Sequence, residues 1–317
     1  MVIGRYIPVS FTTMIFEHTE EGVTVRLAIL CEETSWYGRD LVRAALARGH
    51  VCSRWDFRAL QGGVCQQREM FEVTSSPWPV ATYDALVVRS MPAGSLEQVV
   101  VRMDWLARWE AAGCRVINPS KALECAIDKY LTTSRLAAAG LPTPDTWVGE
   151  SAEAACAAFQ QLGGDVVVKP LFGSEGRGIL RVSEPDLAWR VFQTLERLQA
   201  VIYLQRFIDH GGSDLRLLVL GTQVLGGMRR TASQDFRTNV ARQGQASSHQ
   251  PSPLECELAV KAAQVTGNLF AGIDLLYDRA GQPYVIEVNG VPGWRAFGRV
   301  NQLDVADLLI AWLEQTR

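Results

Sequence analysis

The sequence predicts a mixed α/β protein in two parts: a small doubly wound parallel sheet first, then a region of antiparallel hairpins and helices. Three observations predict it. Apolar strand runs alternate with amphipathic helical segments between residues 23 and 118. A helical pair from 119 to 144 is closed by Gly140, Pro142 and Pro144, which marks a boundary. Beyond it, acids, amides and basic residues sit at the ends of otherwise apolar strands.

The elements follow in order. VTVRLAILCEE reads as a buried strand, GRDLVRAALARGH as a helix with apolar residues at helical spacing, and VCSRWDF as a second strand. YDALVVRS, LEQVVVRMDWLARWEAAG and CRVINPS then give strand, long amphipathic helix and short strand, completing a Rossmann-like parallel-sheet domain over 23–118. Its first strand-to-helix turn, CEETSWYGRD, has one glycine and no G-x-G-x-x-G loop, so a dinucleotide is not expected there. A scaffold for an acceptor is. Residues 1–22 are broken by Arg5, Pro8 and Ser10 to Thr13, unlike a secretory signal, and read as an extra strand or a mis-assigned start.

Composition narrows the function classes. The 317 residues are 48% hydrophobic and 21% charged, with a net charge of −3, which argues against general affinity for nucleic acid or an anionic membrane. No run reaches the roughly 18 apolar residues of a membrane helix. Seven scattered cysteines without CxxC or CxxH spacing read as small hydrophobes in a reducing compartment, with the cytoplasm as the default. His18, His50, His210 and His249 read as ordinary loop residues.

The second part carries the chemistry. DVVVKPLFGSEGRGILRV reads as a hairpin with Lys169 at the end of one strand and a glycine-rich loop from Gly173 to Gly178. Glycines let a phosphate approach backbone N–H groups, and a flanking lysine adds a point charge. A flexible hairpin with a solvated lysine explains an isolated loop equally well. PDLAWRVFQTLERL is a helix and VIYLQRFID a strand, followed by the pair SDLRLLVLGTQVLGGMRR. There Asp214 and Arg216 share a strand face, with Leu215 and Leu217 opposite; a surface ion pair is the plain alternative. Arg229, Arg230, Arg237 and Arg242 meet only Asp235 in MRRTASQDFRTNVARQGQA, a cluster suited to phosphate or carboxylate, or else a solvated basic loop.

GIDLLYDRAGQPYVIEVN reads as a last hairpin, whose strand Tyr284 to Asn289 places Glu287 and Asn289 on one face and Ile286 and Val288 on the other. A loop of even length centred on Ala280 and Gly281 sets Asp274 opposite Glu287, with β-carbons about 4.5 to 5.5 Å apart. A cation is needed between two such acids. With Asn289 they form a hard oxygen set suited to Mg²⁺ shared with nucleotide phosphates. The alternative is that Asp274 is a surface acid and Glu287 pairs with an arginine.

The ordered set IDKYL, VVVKPLFGSEGRGI, LQRFI, SDLRLLV, RRTASQDFRTNVARQG, GIDLL and VIEVNGVPG resembles the ATP-grasp ligases of the RimK type, from about Asn118 to the C-terminus. The resemblance implies an ATP-grasp fold over 119–317, divided at 204/205 into a central part with the glycine loop and a C-terminal part with the metal site. It implies that Lys129 and Lys169 hold the α- and β-phosphates, and that Gly173, Ser174, Gly176 and Gly178 cover them. Gln205, Arg206, Phe207 and Ile208 would meet adenine, Asp214 the ribose end, and Arg237 and Asn239 the phosphates. Asp274, Glu287 and Asn289 match the family's ligands for Mg²⁺ (or Mn²⁺), two ions in all. Arg206 departs from relatives with an acid after the glutamine.

The implied chemistry is amide formation through an acyl phosphate, with L-glutamate added to a carboxylate acceptor: a pterin or furan cofactor, or a peptide C-terminus. Arg230 would bind the acyl phosphate and tetrahedral intermediate, with Arg216 assisting. The stretches VPGWRAFGRV and VVRSMPAGSLEQ look closer to the tetrahydromethanopterin branch, with Arg89 and Arg295 as acceptor contacts. Homo-oligomers are common among such proteins. A non-catalytic ATP-binding module and a small-molecule kinase remain as alternatives on the same fold.

Overall fold

The computed structural model describes residues 24–65, 68–73, 82–173, 176–232 and 245–316. Strand β1 (Arg26–Leu30), helix α1 (Trp36–Ala47) and strand β2 (Val51–Trp55) open the chain, followed by the hairpin β3 (Leu60–Cys65) and β4 (Arg68–Val73). Next come β5 (Ala85–Val88), α2 (Leu96–Ala111) and β6 (Arg115–Ile117). The sheet order is β2-β1-β5-β6, with every pair parallel, as the alternation of strand and helix requires. Gly38, expected in the first turn, lies inside α1, where a β-carbon would come within 2.4 Å of Cys31 Sγ. Its absence lets the helix pack against the end of β1.

Helices α3 (Ser120–Ile127) and α4 (Lys129–Ala138) form the expected pair, and Gly140 follows with φ +73°. Strand β7 (Thr146–Gly149), helix α5 (Ala152–Gln161), strands β8 (Val166–Lys169) and β9 (Leu180–Val182), helix α6 (Pro185–Arg197) and strand β10 (Ile202–Arg206) come next. These strands form an antiparallel sheet, β7-β10-β8-β9. Val166, Val168, Ile202 and Leu204 bury one face under α5 and α6, so Val167, Lys169, Tyr203 and Gln205 share the other.

The last region holds β11 (Ser213–Leu220), β12 (Gln223–Thr231), β13 (Gln245–His249), α7 (Pro253–Thr266), β14 (Phe270–Tyr277), β15 (Pro283–Asn289), α8 (Arg295–Asn301) and α9 (Val305–Gln315). Its sheet is antiparallel, in the order β13-β12-β11-β14-β15. Leu215, Leu217, Ile273, Leu275, Val285 and Val288 pack against α7. The opposite face has two halves. At one end of β11 it presents Asp214 and Arg216; further along it continues as Leu218 and Leu220, which join Phe270, Trp294 and the α9 residues Leu309 and Ile310 in one core with Leu27, Ile29, Leu41 and Val87. The parallel sheet is thus held against the apolar half of that face by shared burial, while its other face keeps a core of its own, with Leu30, Trp55, Leu86, Val88, Leu106 and Trp109.

Asn118, fully buried, stitches this junction. Its Nδ2 donates to the Phe270 and Gly290 carbonyls at 2.6 and 2.5 Å, and its Oδ1 accepts from the Leu269 and Phe270 N–H groups at 2.7 and 2.8 Å. Asn118→Ala leaves buried backbone groups on both strand ends unsatisfied. Urea unfolding is expected to show a loss of about 3 kcal/mol or more.

The last hairpin corrects its expected geometry. Its loop is odd, since Tyr277 pairs with Pro283 and Asp278 caps the turn through the Ala280 and Gln282 N–H groups, both at 2.9 Å. Next to the turn Leu275 therefore pairs with Val285, one residue off the expected register. A bulge between Asp274 and Leu275 takes up the extra residue and restores Asp274 opposite Glu287, Ile273 opposite Val288 and Gly272 opposite Asn289. The bulge also turns Ile286 to the same side as Glu287, not the side of Val288.

Candidate active site

The free face of β7-β10-β8-β9 and the polar end of the last sheet enclose a cleft of about 910 Å³, counted to the open solvent at its mouth. Lys129, Lys169, Gly173 and Gly176 stand on its wall with Gln205 to Ile208, and Asp214, Arg230, Asp274 and Glu287 form its floor. Val167, Ile179, Phe207, Leu276 and Ile286 give it apolar surface. Most residues expected of the site therefore converge.

The two lysines are held differently. Lys129 opens α4, capped by Asp128, and its Nζ donates to the Gly173 carbonyl at 2.8 Å, tethering the glycine loop. Gly178 has φ +73°, and a β-carbon there would meet Pro170 Cγ at 2.8 Å, so the loop's return needs glycine. Lys169 Nζ donates to Gln205 Oε1 at 2.6 Å; the Gln205 amide in turn donates to Thr146 Oγ1 at 3.0 Å and to the Tyr203 hydroxyl at 3.3 Å. Gln205 thus orients the lysine and is not free for a base.

Burial pushes the Lys169 ammonium down to about 8, against the attraction of Glu287; burial also lowers that of Lys129. A lysine with a depressed folded value loses its charge first in the native state, so phosphate affinity falls as pH rises through about 8. ADP affinity measured from pH 7 to 9 is expected to decline in the wild type. In Lys169→Met it starts lower and stays flat across that range.

Arg206 is paired with Asp145 at 3.1 Å. Its own N–H and that of Phe207 are spent on the Asp145 and Asp165 carbonyls at 2.8 and 3.0 Å. A base docked here does not hydrogen-bond to those two groups.

The floor is a network of two arginines and two aspartates. Register places Arg216 on β11 opposite Asp274 on β14, which is opposite Glu287 on β15; Asp214 on β11 faces Arg230 on β12. Arg216 forks onto Asp274, Nε to Oδ1 at 2.7 Å and Nη2 to Oδ2 at 2.6 Å. Arg230 forks onto Asp214, with Nε to Oδ1 at 2.7 Å, and also reaches Asp274 Oδ2 at 2.9 Å. Burial opposes ionisation of Asp274, but Arg216 and Arg230 outweigh it and hold its carboxyl below the ordinary carboxylate range. Burial likewise opposes the charge of Arg230, and Asp274 and Asp214 overcome it and raise its value. Asp214 and Arg216 are thus not a surface pair with each other; Asp214, engaged by Arg230, lines the cleft.

The oxygen set tests whether a cation fits. Glu287 has no hydrogen bond or ion pair to another described residue, and its charge faces Lys129 and Lys169. Asn289 Nδ2 donates to the Gly272 carbonyl at 3.3 Å, which leaves its amide oxygen for a ligand. Among the described residues no three His, Cys, Asp or Glu side chains gather into a metal site by themselves. Glu287 and Asn289 fit a hard cation whose coordination is completed by phosphates, while Asp274 is clamped by arginines.

Several expected residues stand elsewhere. Arg89 is buried, stacked on Trp294 and Tyr37 at 4.3 and 5.0 Å, and donates to the Pro292 carbonyl at 2.7 Å. It fastens the turn after β15 and does not line the cleft. Arg295 is exposed over Trp36 at 5.4 Å, also off the cleft. Ser174, Arg237, Asn239, Arg242 and the first 23 residues lie outside the described residues. His50 and His210 lie in loops as expected, though His50 bonds Glu314 at 2.7 Å and His210 lines the cleft; His249 instead ends β13 and bonds Glu255 at 2.9 Å, and His18 lies outside the described residues. Cys31, Cys52, Cys114, Cys125, Cys156 and Cys256 are free thiols, Cys31, Cys114 and Cys125 being buried. No helix among the described residues is long and apolar enough to cross a membrane.

Comparison with known proteins adds independent findings. The profile of the RimK-like ATP-grasp domain matches residues 126–313. The chain is 30% identical over 321 residues to a tetrahydromethanopterin:alpha-L-glutamate ligase of Methanosarcina acetivorans, covering 90% of this chain and 97% of that protein. It is 32% identical over 298 residues to a probable alpha-L-glutamate ligase of Xanthomonas campestris, covering 92% and 99%. Among solved structures, the ATP-grasp ligase PsnB complexed with a precursor variant, Mg and ADP has the same fold, with a TM-score of 0.72 at 22% identity over 93% of this chain and 99% of that one. A RimK domain protein from Sphaerobacter thermophilus gives a TM-score of 0.69 at 24% identity over 91% and 99%.

Proposed function

The chain belongs to the RimK-like ATP-grasp family, and from that premise we propose that it joins an amine to a carboxylate, driven by cleavage of ATP to ADP and phosphate. The observation that carries the reading is the meeting, in one cleft, of Lys129 from α4 and Lys169 from β8 with Asp214, Arg230, Asp274 and Glu287 of the last sheet, Arg216 lying behind them on Asp274. Lys129 and Lys169 hold nucleotide phosphates, and their depressed values match a site that gains stability when an anion arrives. The glycine loop, tied to Lys129, closes over them.

An acceptor carboxylate oxygen attacks the γ-phosphorus, the bond to the ADP oxygen breaks, and an acyl phosphate results. The amine then attacks the acyl carbon and phosphate leaves. This chain's part is positioning and charge neutralisation, with Arg230 and Arg216 set for the developing oxyanions. Mg²⁺ held at Glu287 and Asn289 supplies Lewis-acid neutralisation of the phosphoryl oxygens when bound. L-glutamate is the amine proposed, since the relatives are named as glutamate ligases. The acceptor class is a small cofactor carboxylate such as a pterin or furan, or a peptide C-terminus, and the cytoplasm is the proposed location.

ADP release measured with and without glutamate and a candidate acceptor tests this reading. Release that requires both supports it. Tight ATP binding without turnover over a broad acceptor screen favours a binding module, and amine-independent release with a stable phosphorylated product favours a kinase. Glu287, Asn289, Asp274 and Arg230 are all present, a set a non-catalytic module has no need to keep.

A further inference from the structure

The two arginines of the floor are not equivalent. Arg230 has two carboxylate partners, Asp214 through both nitrogens of its fork and Asp274 at 2.9 Å. Arg216 has Asp274 alone as its carboxylate partner among the described residues, through bonds of 2.7 and 2.6 Å. It is also the more exposed, at 16% against 3%. Together they cover both oxygens of Asp274, Oδ1 by Arg216 and Oδ2 by both.

Asp274 is also the acid directly across from Glu287. The arginine N–H groups take both lone pairs of Asp274 Oδ2 and one of Oδ1, so a cation held through both oxygens must displace an arginine donor. The two uses compete.

We propose that Arg216 is an arginine released by the cation: occupation of Asp274 by a divalent ion detaches the Arg216 fork, while Arg230 stays anchored on Asp214. Arg216 then offers its paired donors to an oxyanion of the substrate. It lies beside the turn after β15: a β-carbon on Gly272 would be 3.7 Å from Arg216 Nε and 3.2 Å from Pro292 Cβ. The proposal rests on the nucleotide-and-cation reading of the cleft and reverses the ranking drawn from sequence, in which Arg230 led and Arg216 assisted.

Competition makes a measurable prediction in the absence of turnover. Mn²⁺ binding is titrated by electron paramagnetic resonance in the presence of ADP, for wild type, Arg216→Met and Arg216→Lys, each checked for an intact fold by circular dichroism. Arg216→Met is expected to bind Mn²⁺ roughly tenfold more tightly, within the usual range for coupled ligands. Arg216→Lys keeps the charge but loses the two-point fork, and is expected to fall between the two; it also keeps the test open if the Met variant does not fold. A Lys variant at the wild-type affinity shows a general charge effect only and overturns the release. So does unchanged or weaker binding in Arg216→Met. A wild type that binds no Mn²⁺ with ADP overturns the underlying reading of the cleft instead, which separates the two failures.

Discussion

Glu287→Gln is expected to lower amide-forming turnover by at least about a thousandfold while leaving the unfolding transition where it is. The side chain has no hydrogen bond or ion pair to another described residue, so the fold does not lean on it. Its negative charge faces Lys129 and Lys169 and opposes the burial that lowers them both. The amide keeps the volume and removes the charge. A second signature follows: without Glu287 the Lys169 ammonium titrates still lower, so the pH at which ADP affinity declines moves down. Near-normal turnover in this variant places the cation and the transferring phosphoryl group elsewhere.

Asp214→Asn carries the other large effect, and here it is on stability. Asp214 and Arg230 are both almost fully buried and joined by a two-point fork. The amide keeps one acceptor, replaces the other by an N–H₂ group aimed at a guanidinium and removes the charge, leaving Asp274 as the one carboxylate partner of buried Arg230 among the described residues. Breaking one side of a buried ion pair costs about 3 to 5 kcal/mol, to be read from urea unfolding. Turnover falls too, because Arg230 loses the group that aims it. A variant of unchanged stability whose defect is confined to ATP affinity returns Asp214 to the ribose-binding role implied by the family resemblance.

Much of this site was legible in the sequence because its signals are local. The alternation of buried strands with amphipathic helices dictates the parallel sheet, and period two correctly set Asp214 and Arg216 against Leu215 and Leu217. Asp274 does face Glu287, although through compensating departures: a five-residue loop shifts the pairing by one, and a bulge shifts it back. Nothing in GQPYVIEVN announces that bulge, and so period two sets Ile286 on the face of Val288 when it lines the cleft beside Glu287. Partner choice among the charges was out of reach for another reason. That Arg230 takes Asp214, and that Asp274 is clamped from two strands, depends on the order β12-β11-β14, which is set by long-range pairing. Asn118 gave no signal within INPS, since its partners lie some 150 residues away, at separations of 151, 152 and 172. Helix α7 did give one: Ser252, Pro253 and Glu255 form a capping box at its start.

The roles of Arg216, Arg230 and the lysines all depend on one claim, that the cleft transfers the γ-phosphoryl group of ATP to a carboxylate which an amine then displaces. Heavy oxygen tests it directly. The protein is incubated with ATP, Mg²⁺, L-glutamate and a pterin acceptor whose carboxylate carries heavy oxygen, and the products are weighed by mass spectrometry. The account predicts an acceptor heavier by one glutamyl residue and one heavy oxygen atom in each phosphate released. Unlabelled phosphate accompanying a glutamylated acceptor contradicts the acyl phosphate, and a labelled phosphoryl group that stays on the acceptor whether or not glutamate is present contradicts the ligase.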